Sequence, residues 1–110
     1  LVYAGIEFTT SLIDATDMTH LRLDVWAPEG TIFRVKLVDF GEDGIYNLPI
    51  DESELTFRAT STPSFTAGQW CVLDIPLSDF TLDSRAHLAQ LIISSSDARI
   101  VFLDNVLFRR

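Results

Sequence analysis

Two tryptophans and a row of charges spaced two residues apart are the side chains in this sequence best suited to engage a ligand. His20-Leu21-Arg22-Leu23-Asp24-Val25-Trp26 alternates without a break, apolar at odd positions and polar or aromatic at even ones. That is the period of a half-buried strand, so Leu21, Leu23 and Val25 enter a core while His20, Arg22, Asp24 and Trp26 line the opposite face. Gln69 to Ile75 repeats the design, with Cys71, Leu73 and Ile75 on one parity and Trp70, Val72 and Asp74 on the other. An indole beside charged groups suits a ligand with both hydroxyls and flat apolar patches, because the ring covers the patch and the polar groups hydrogen-bond the rest. A sugar is such a ligand. Indoles in these positions can also close a sandwich end or pack under a loop.

A third set is acidic. Residues 39 to 54 hold Asp39, Glu42, Asp43, Asp51, Glu52 and Glu54 among glycines, Pro49 and Tyr46. They read as one long loop, and such loops in compact domains are usually functional or mobile. Carboxylates at irregular spacing suit calcium, which takes six to eight oxygens. Asp39, Asp43, Asp51 and Glu54 are the candidate ligands, although they lack EF-hand spacing and also fit a solvated acidic loop. Asp104, embedded in the apolar run of residues 99–108, is a further metal candidate, since a buried carboxylate needs a partner. Tyr46 is a third aromatic candidate for ligand contact.

Catalytic patterns are lacking. His20 and His87 are the only histidines, and neither a nucleophile elbow, a His-Glu-x-x-His motif nor a glycine-rich phosphate loop occurs. Paired carboxylates of the glycosidase kind have no distinguishing sequence context here. The chain is expected not to be an enzyme.

The elements that must position these residues are strands. Residues 2–8, 20–26, 31–40, 55–59, 69–75, 88–93 and 99–108 are apolar or alternating, separated by turn-rich segments, and no long helical period intervenes. One helical turn is expected near residues 83–88. This pattern predicts an all-β fold, a two-sheet antiparallel β-sandwich, as one domain over residues 1–110. In Phe33-Arg34-Val35-Lys36-Leu37 the even residues are basic, so Arg34 and Lys36 are expected to join the Arg22, Asp24 and Trp26 row if the two strands pair. The expected core is Leu21, Leu23, Val25, Phe33, Val35, Leu37, Leu55, Phe57, Cys71, Leu73 and Ile75.

Composition narrows the partners. The 110 residues are 47% hydrophobic and 22% charged, as in a globular domain. Sixteen acidic against eight basic residues give a net charge of −8, which repels phosphate backbones and anionic lipid, so neither nucleic acid nor membrane is expected. No apolar run is long enough to span a bilayer, and the opening at Leu1 reads as a cut or processed end. The single Cys71 allows no internal disulfide and reads as a small buried residue.

Taken together, Leu21 to Pro28, Lys36 to Gly41, Gln69-Trp70 with Asp74 to Phe80, and Phe102 to Phe108 carry a resemblance. In order and spacing they resemble the β-jelly-roll carbohydrate-binding modules attached to bacterial β-glucanases and related glycan-degrading enzymes, from about residue 3 onward. The resemblance implies a secreted, non-catalytic module that binds a plant or microbial β-glucan, such as cellulose, mixed-linkage glucan or xyloglucan, through surface aromatics, in a parent protein carrying a glycoside hydrolase. It also implies a structural calcium, with Asp104 matching a frequent ligand. Longer relatives complete that site with an N-terminal segment that the chain from Leu1 does not include, which makes the acidic loop the stronger metal candidate. On this reading the ligand-binding residues are Trp26, Trp70, Arg22, Asp24, Arg34, Lys36, Asp74 and Tyr46. The alternative is a structural or adhesive β-sandwich subunit of an extracellular assembly, whose outward tryptophans contact the next subunit.

Overall fold

The computed structural model describes residues 3–8, 10–41, 52–82 and 84–110. Seven strands run in chain order: β1 (Tyr3–Glu7), β2 (His20–Trp26), β3 (Phe33–Asp39), β4 (Glu52–Phe57), β5 (Cys71–Pro76), β6 (Leu88–Ser94) and β7 (Phe102–Arg109). They form two antiparallel sheets, a four-stranded one ordered β1-β6-β3-β4 and a three-stranded one ordered β5-β2-β7. The chain changes sheet at every connection except β3 to β4, which makes a β-sandwich. The one helical element among the described residues is a 3₁₀ turn at Leu77–Asp79, earlier in the chain than the turn expected near 83–88. Pro76 leads into that turn, and the Phe80 N–H closes it on the Leu77 carbonyl.

Alternation fills the core as expected. Leu21, Leu23 and Val25 of β2 face Phe33, Val35 and Leu37 of β3 across the interior, all with no exposed surface, joined by Leu73, Ile75, Leu88 and Phe65. Cys71 and Phe57 are buried as well, while Leu55 is half-buried against the same cluster. The Cys71 thiol donates toward the Thr66 carbonyl, so it packs as a small buried residue. At the β1 edge the filling stops. All five β1 residues are exposed, and Ala4 and Ile6 line a small apolar cavity of about 80 Å³ with Leu91, Ile93 and Leu103.

Two features depart from simple alternation. In β7, Asp104 pairs with Asp24 but Leu107 pairs with Arg22, so β7 carries one residue more than β2 over that stretch. Asn105, at φ 51, takes up the extra residue, and the side chains beyond the bulge change parity. The second departure is that β4 begins at Glu52, so Glu52 and Glu54 belong to a strand, and Asp39 is the last residue of β3.

One polar staple ties the β2–β3 turn to the β6–β7 turn. Asp97 accepts hydrogen bonds from the Thr31 N–H and the Thr31 hydroxyl, while the Ser95 hydroxyl donates to the Ile32 carbonyl. Gly30 lies against this junction at φ +113, where a Cβ would meet the Ala98 methyl at 3.0 Å. Donation from Thr31 holds the Asp97 carboxyl below the ordinary carboxylate range. A depressed carboxylate contributes stability above its unfolded pKa and loses it as the pH falls through the folded one. Asp97→Asn is therefore expected to lower the melting temperature at neutral pH, with the gap to wild type closing in strong acid. A gap independent of pH would show that the charge on Asp97 does not matter.

Candidate functional site

The outward face of the three-stranded sheet is ordered from one end to the other. Phe102 pairs with Trp26, and Trp70 lies one residue ahead of Cys71, the partner of Val25. Two aromatics thus form a row across β2 and β7, with Trp70 just ahead of β5. Below it come Val72, Asp24 and Asp104, then Asp74, Arg22 and Leu107, and last Pro76, His20 and Arg109. Trp70 is 56% exposed, Phe102 53% and Val72 50%, while Trp26, at the centre of the sheet, is half-buried. The Trp26 and Phe102 rings lie 5.7 Å apart with planes inclined at 55°. That separation is within the range of favourable aromatic pairs.

The charged part of the face is held by its own pairs. Arg109 grips Asp74 with two nitrogens, Nε to Oδ1 at 3.0 Å and Nη2 to Oδ2 at 2.5 Å, the fork geometry that suits a carboxylate. Its donation holds the Asp74 carboxyl below the usual range and raises the guanidinium further. Asp24 receives a hydrogen bond from the Asn105 amide at 2.8 Å and has the Arg22 guanidinium 3.6 Å away. Thr19 and His20 pair through the hydroxyl and Nδ1 at 2.8 Å. Both arginines are thus held by aspartates beside the aromatics.

Of the residues expected to bind ligand, Trp26, Trp70, Arg22, Asp24 and Asp74 share this face. Arg34 and Lys36 do not. They lie on β3, in the opposite sheet, and their side chains point to the other side of the sandwich, with Lys36 3.6 Å from Glu52. The like patterns of β2 and β3 reflect one inward face each, not a shared outward one. Tyr46 falls outside the described residues.

Of the metal candidates, Asp39, Glu54 and Asp104 are described, and they lie on β3, β4 and β7. Asp39 is buried, and its carboxylate accepts the Gly41 N–H at 2.8 Å and the His87 N–H at 2.9 Å, which accounts for a charge in that place. Glu54 lies on β4, facing out beside Lys36. Asp104 is exposed at the bulge rather than buried, and accepts the N–H of Asn105. Asp43 and Asp51 fall outside the described residues. Among the described residues no three acidic, histidine or cysteine side chains form a group that could hold a metal.

No family model, curated protein or solved structure matches the chain. The site therefore rests on its own geometry. The sequence pattern does not mark three of its members. Phe102 sits in the continuous apolar run Val101-Phe102-Leu103, where no alternation marks a face, and Asn105 and Arg109 reach this face only through the bulge and the β2–β7 register.

Proposed function

We propose that this domain is a non-catalytic carbohydrate-binding module whose ligand is a neutral β-glucan, bound on the outward face of the three-stranded sheet. The observation that carries this reading is the adjoining pair Trp26 and Phe102 on that face with the exposed Trp70 just ahead of β5, beside the ion pairs Arg109–Asp74 and Arg22–Asp24. Exposed rings supply apolar cover for sugar faces, and paired charges keep hydrogen-bonding capacity at their margins without attracting ions. The acidic balance of the chain favours an uncharged glycan over a polyanionic one. A secreted parent protein carrying a glycoside hydrolase is the setting this function implies.

The second reading, a structural or adhesive subunit, draws on the same exposed rings together with Val106 and Leu107. Affinity electrophoresis in gels containing cellulose derivatives, mixed-linkage glucan or xyloglucan separates the two. Retardation by at least one β-glucan is expected. Free migration in all of them, with self-association that grows with concentration, selects the structural subunit.

Calcium rests on Asp43 and Asp51 together with Asp39 and Glu54. A bound ion stabilises the folded state by RT ln(1 + [L]/Kd), about 2.7 kcal/mol at a hundredfold excess over Kd. A calcium site there predicts a melting temperature that drops on chelation and recovers with added Ca²⁺. An unchanged melt, with no metal in the purified protein, removes the ion from the proposal.

A further inference from the structure

We infer that the binding track extends beyond the two tryptophans, from Phe102 on β7 across Trp26 and Trp70 into a groove beside the 61–64 loop, and that it takes a single glycan chain rather than a flat crystalline surface. The inference rests on the carbohydrate reading above and specifies how the ligand lies.

The first argument is spacing. Neighbouring strands lie about 4.8 Å apart, close to the length of one pyranose ring, so side chains at matched positions on β7, β2 and β5 can each meet one unit of a chain laid across the strands. Phe102 and Trp26 occupy such positions, and Trp70 follows just ahead of β5, next to the Val25 partner Cys71. The track then continues past β5. Trp70 and Val72 line an open groove of about 470 Å³ together with Thr62, Ser64 and Gln69. The Thr62 and Ser64 hydroxyls and the Gln69 side-chain amide make no hydrogen bond within the described residues, whereas the neighbouring Ser61 hydroxyl is bonded to backbone carbonyls. Uncommitted hydroxyls and an amide at the end of an aromatic row suit the hydroxyls of a further sugar.

The second argument is planarity. A flat crystalline face needs rings lying in one plane and standing clear of the surface. Here the Trp26 and Phe102 planes are inclined at 55°, and Trp26 is half-buried between two exposed neighbours. These two rings do not share a plane, and such an arrangement follows a chain whose successive rings turn. The third argument is charge: Arg22 lies against Asp24 and Arg109 against Asp74, so the face offers these arginines to no anion and fits a neutral chain.

The test is calorimetric titration of soluble β-glucan oligosaccharides of increasing length, alongside co-sedimentation with microcrystalline cellulose. Wild-type affinity should rise with length and level off at about four units, three for the strands and one for the groove. Phe102→Ala should weaken binding of the longer oligosaccharides by about two- to tenfold, the size of one aromatic contact, and leave the shortest binding ligand little changed. Because Phe102 touches Trp26, the loop double variant Thr62→Ala/Ser64→Ala supplies a second probe away from the sheet, with the same length dependence expected. The protein should stay in the supernatant with crystalline cellulose. Wild-type affinity in both variants, or co-sedimentation as strong as binding to soluble chains, overturns this inference and leaves the carbohydrate reading standing. Failure of every glycan to bind overturns both.

Discussion

Replacing Leu23 with alanine is expected to cost about 2–5 kcal/mol of unfolding free energy, the range seen when a large aliphatic side chain is deleted from a closed core. Leu23 is the middle residue of β2, which is itself the middle strand of its sheet. It has no exposed surface and pairs with Leu73, whose side chain is equally buried. Neighbours on both sides are held by ladders to β5 and β7, so the backbone has little freedom to close over the space left behind. Domains of this size commonly have about 5–15 kcal/mol of stability, so the loss would be a large share of the total. Denaturant unfolding checks it, read as a lower midpoint at unchanged slope. Val72→Ala on the same sheet is the control. Its side chain is half exposed on the outer face, and surface changes of this kind usually stay within about 0.5 kcal/mol. If Leu23→Ala cost less than about 1 kcal/mol, the inward face assigned to β2 would be wrong.

That inward face was readable from seven residues of sequence because burial on one side forces a strict period of two, and a slip by one would expose every apolar side chain. The same logic correctly turned Phe33, Val35 and Leu37 inward. It could not say which strands pair. β2 and β3 are consecutive and carry the same pattern, yet the chain crosses between sheets after Trp26, and the outward residues of the two strands end on opposite sides of the sandwich. Periodicity is a local property, whereas sheet partnership depends on contacts distant in sequence. Phe102 was hidden for a related reason: an apolar run followed by a bulge at Asn105 erases the alternation that would have placed it beside Trp26. Asp39 illustrates a third limit. Its residue type and acidic surroundings suggested a metal, but its oxygens meet two backbone N–H groups, one of them on His87, and composition does not reveal backbone partners.

The tryptophan variants bear most directly on the proposed function. Each indole can bury on the order of 150–250 Å² against a ligand, although the ordering and desolvation that binding requires consume much of that gain. Affinity for a β-glucan oligosaccharide should then be modest, a Kd of about 10–500 μM, or roughly −7 to −4.5 kcal/mol. Trp70→Ala and Trp26→Ala should each weaken binding more than about tenfold, a loss above about 1.4 kcal/mol. The two should differ in stability. Trp70 is more than half exposed just ahead of β5, so its removal should leave the melting temperature nearly unchanged. Trp26 is half-buried at the centre of the sheet and packs against Phe102, so its removal should lower the melting temperature as well. A structural subunit predicts another pattern, with Trp70→Ala reducing self-association and no glycan responding to either change. Titrating both variants with cello- and xyloglucan oligosaccharides beside thermal melts separates these outcomes, and wild-type affinity in Trp70→Ala with an unaltered melt would show that the exposed indole takes no part in holding a sugar.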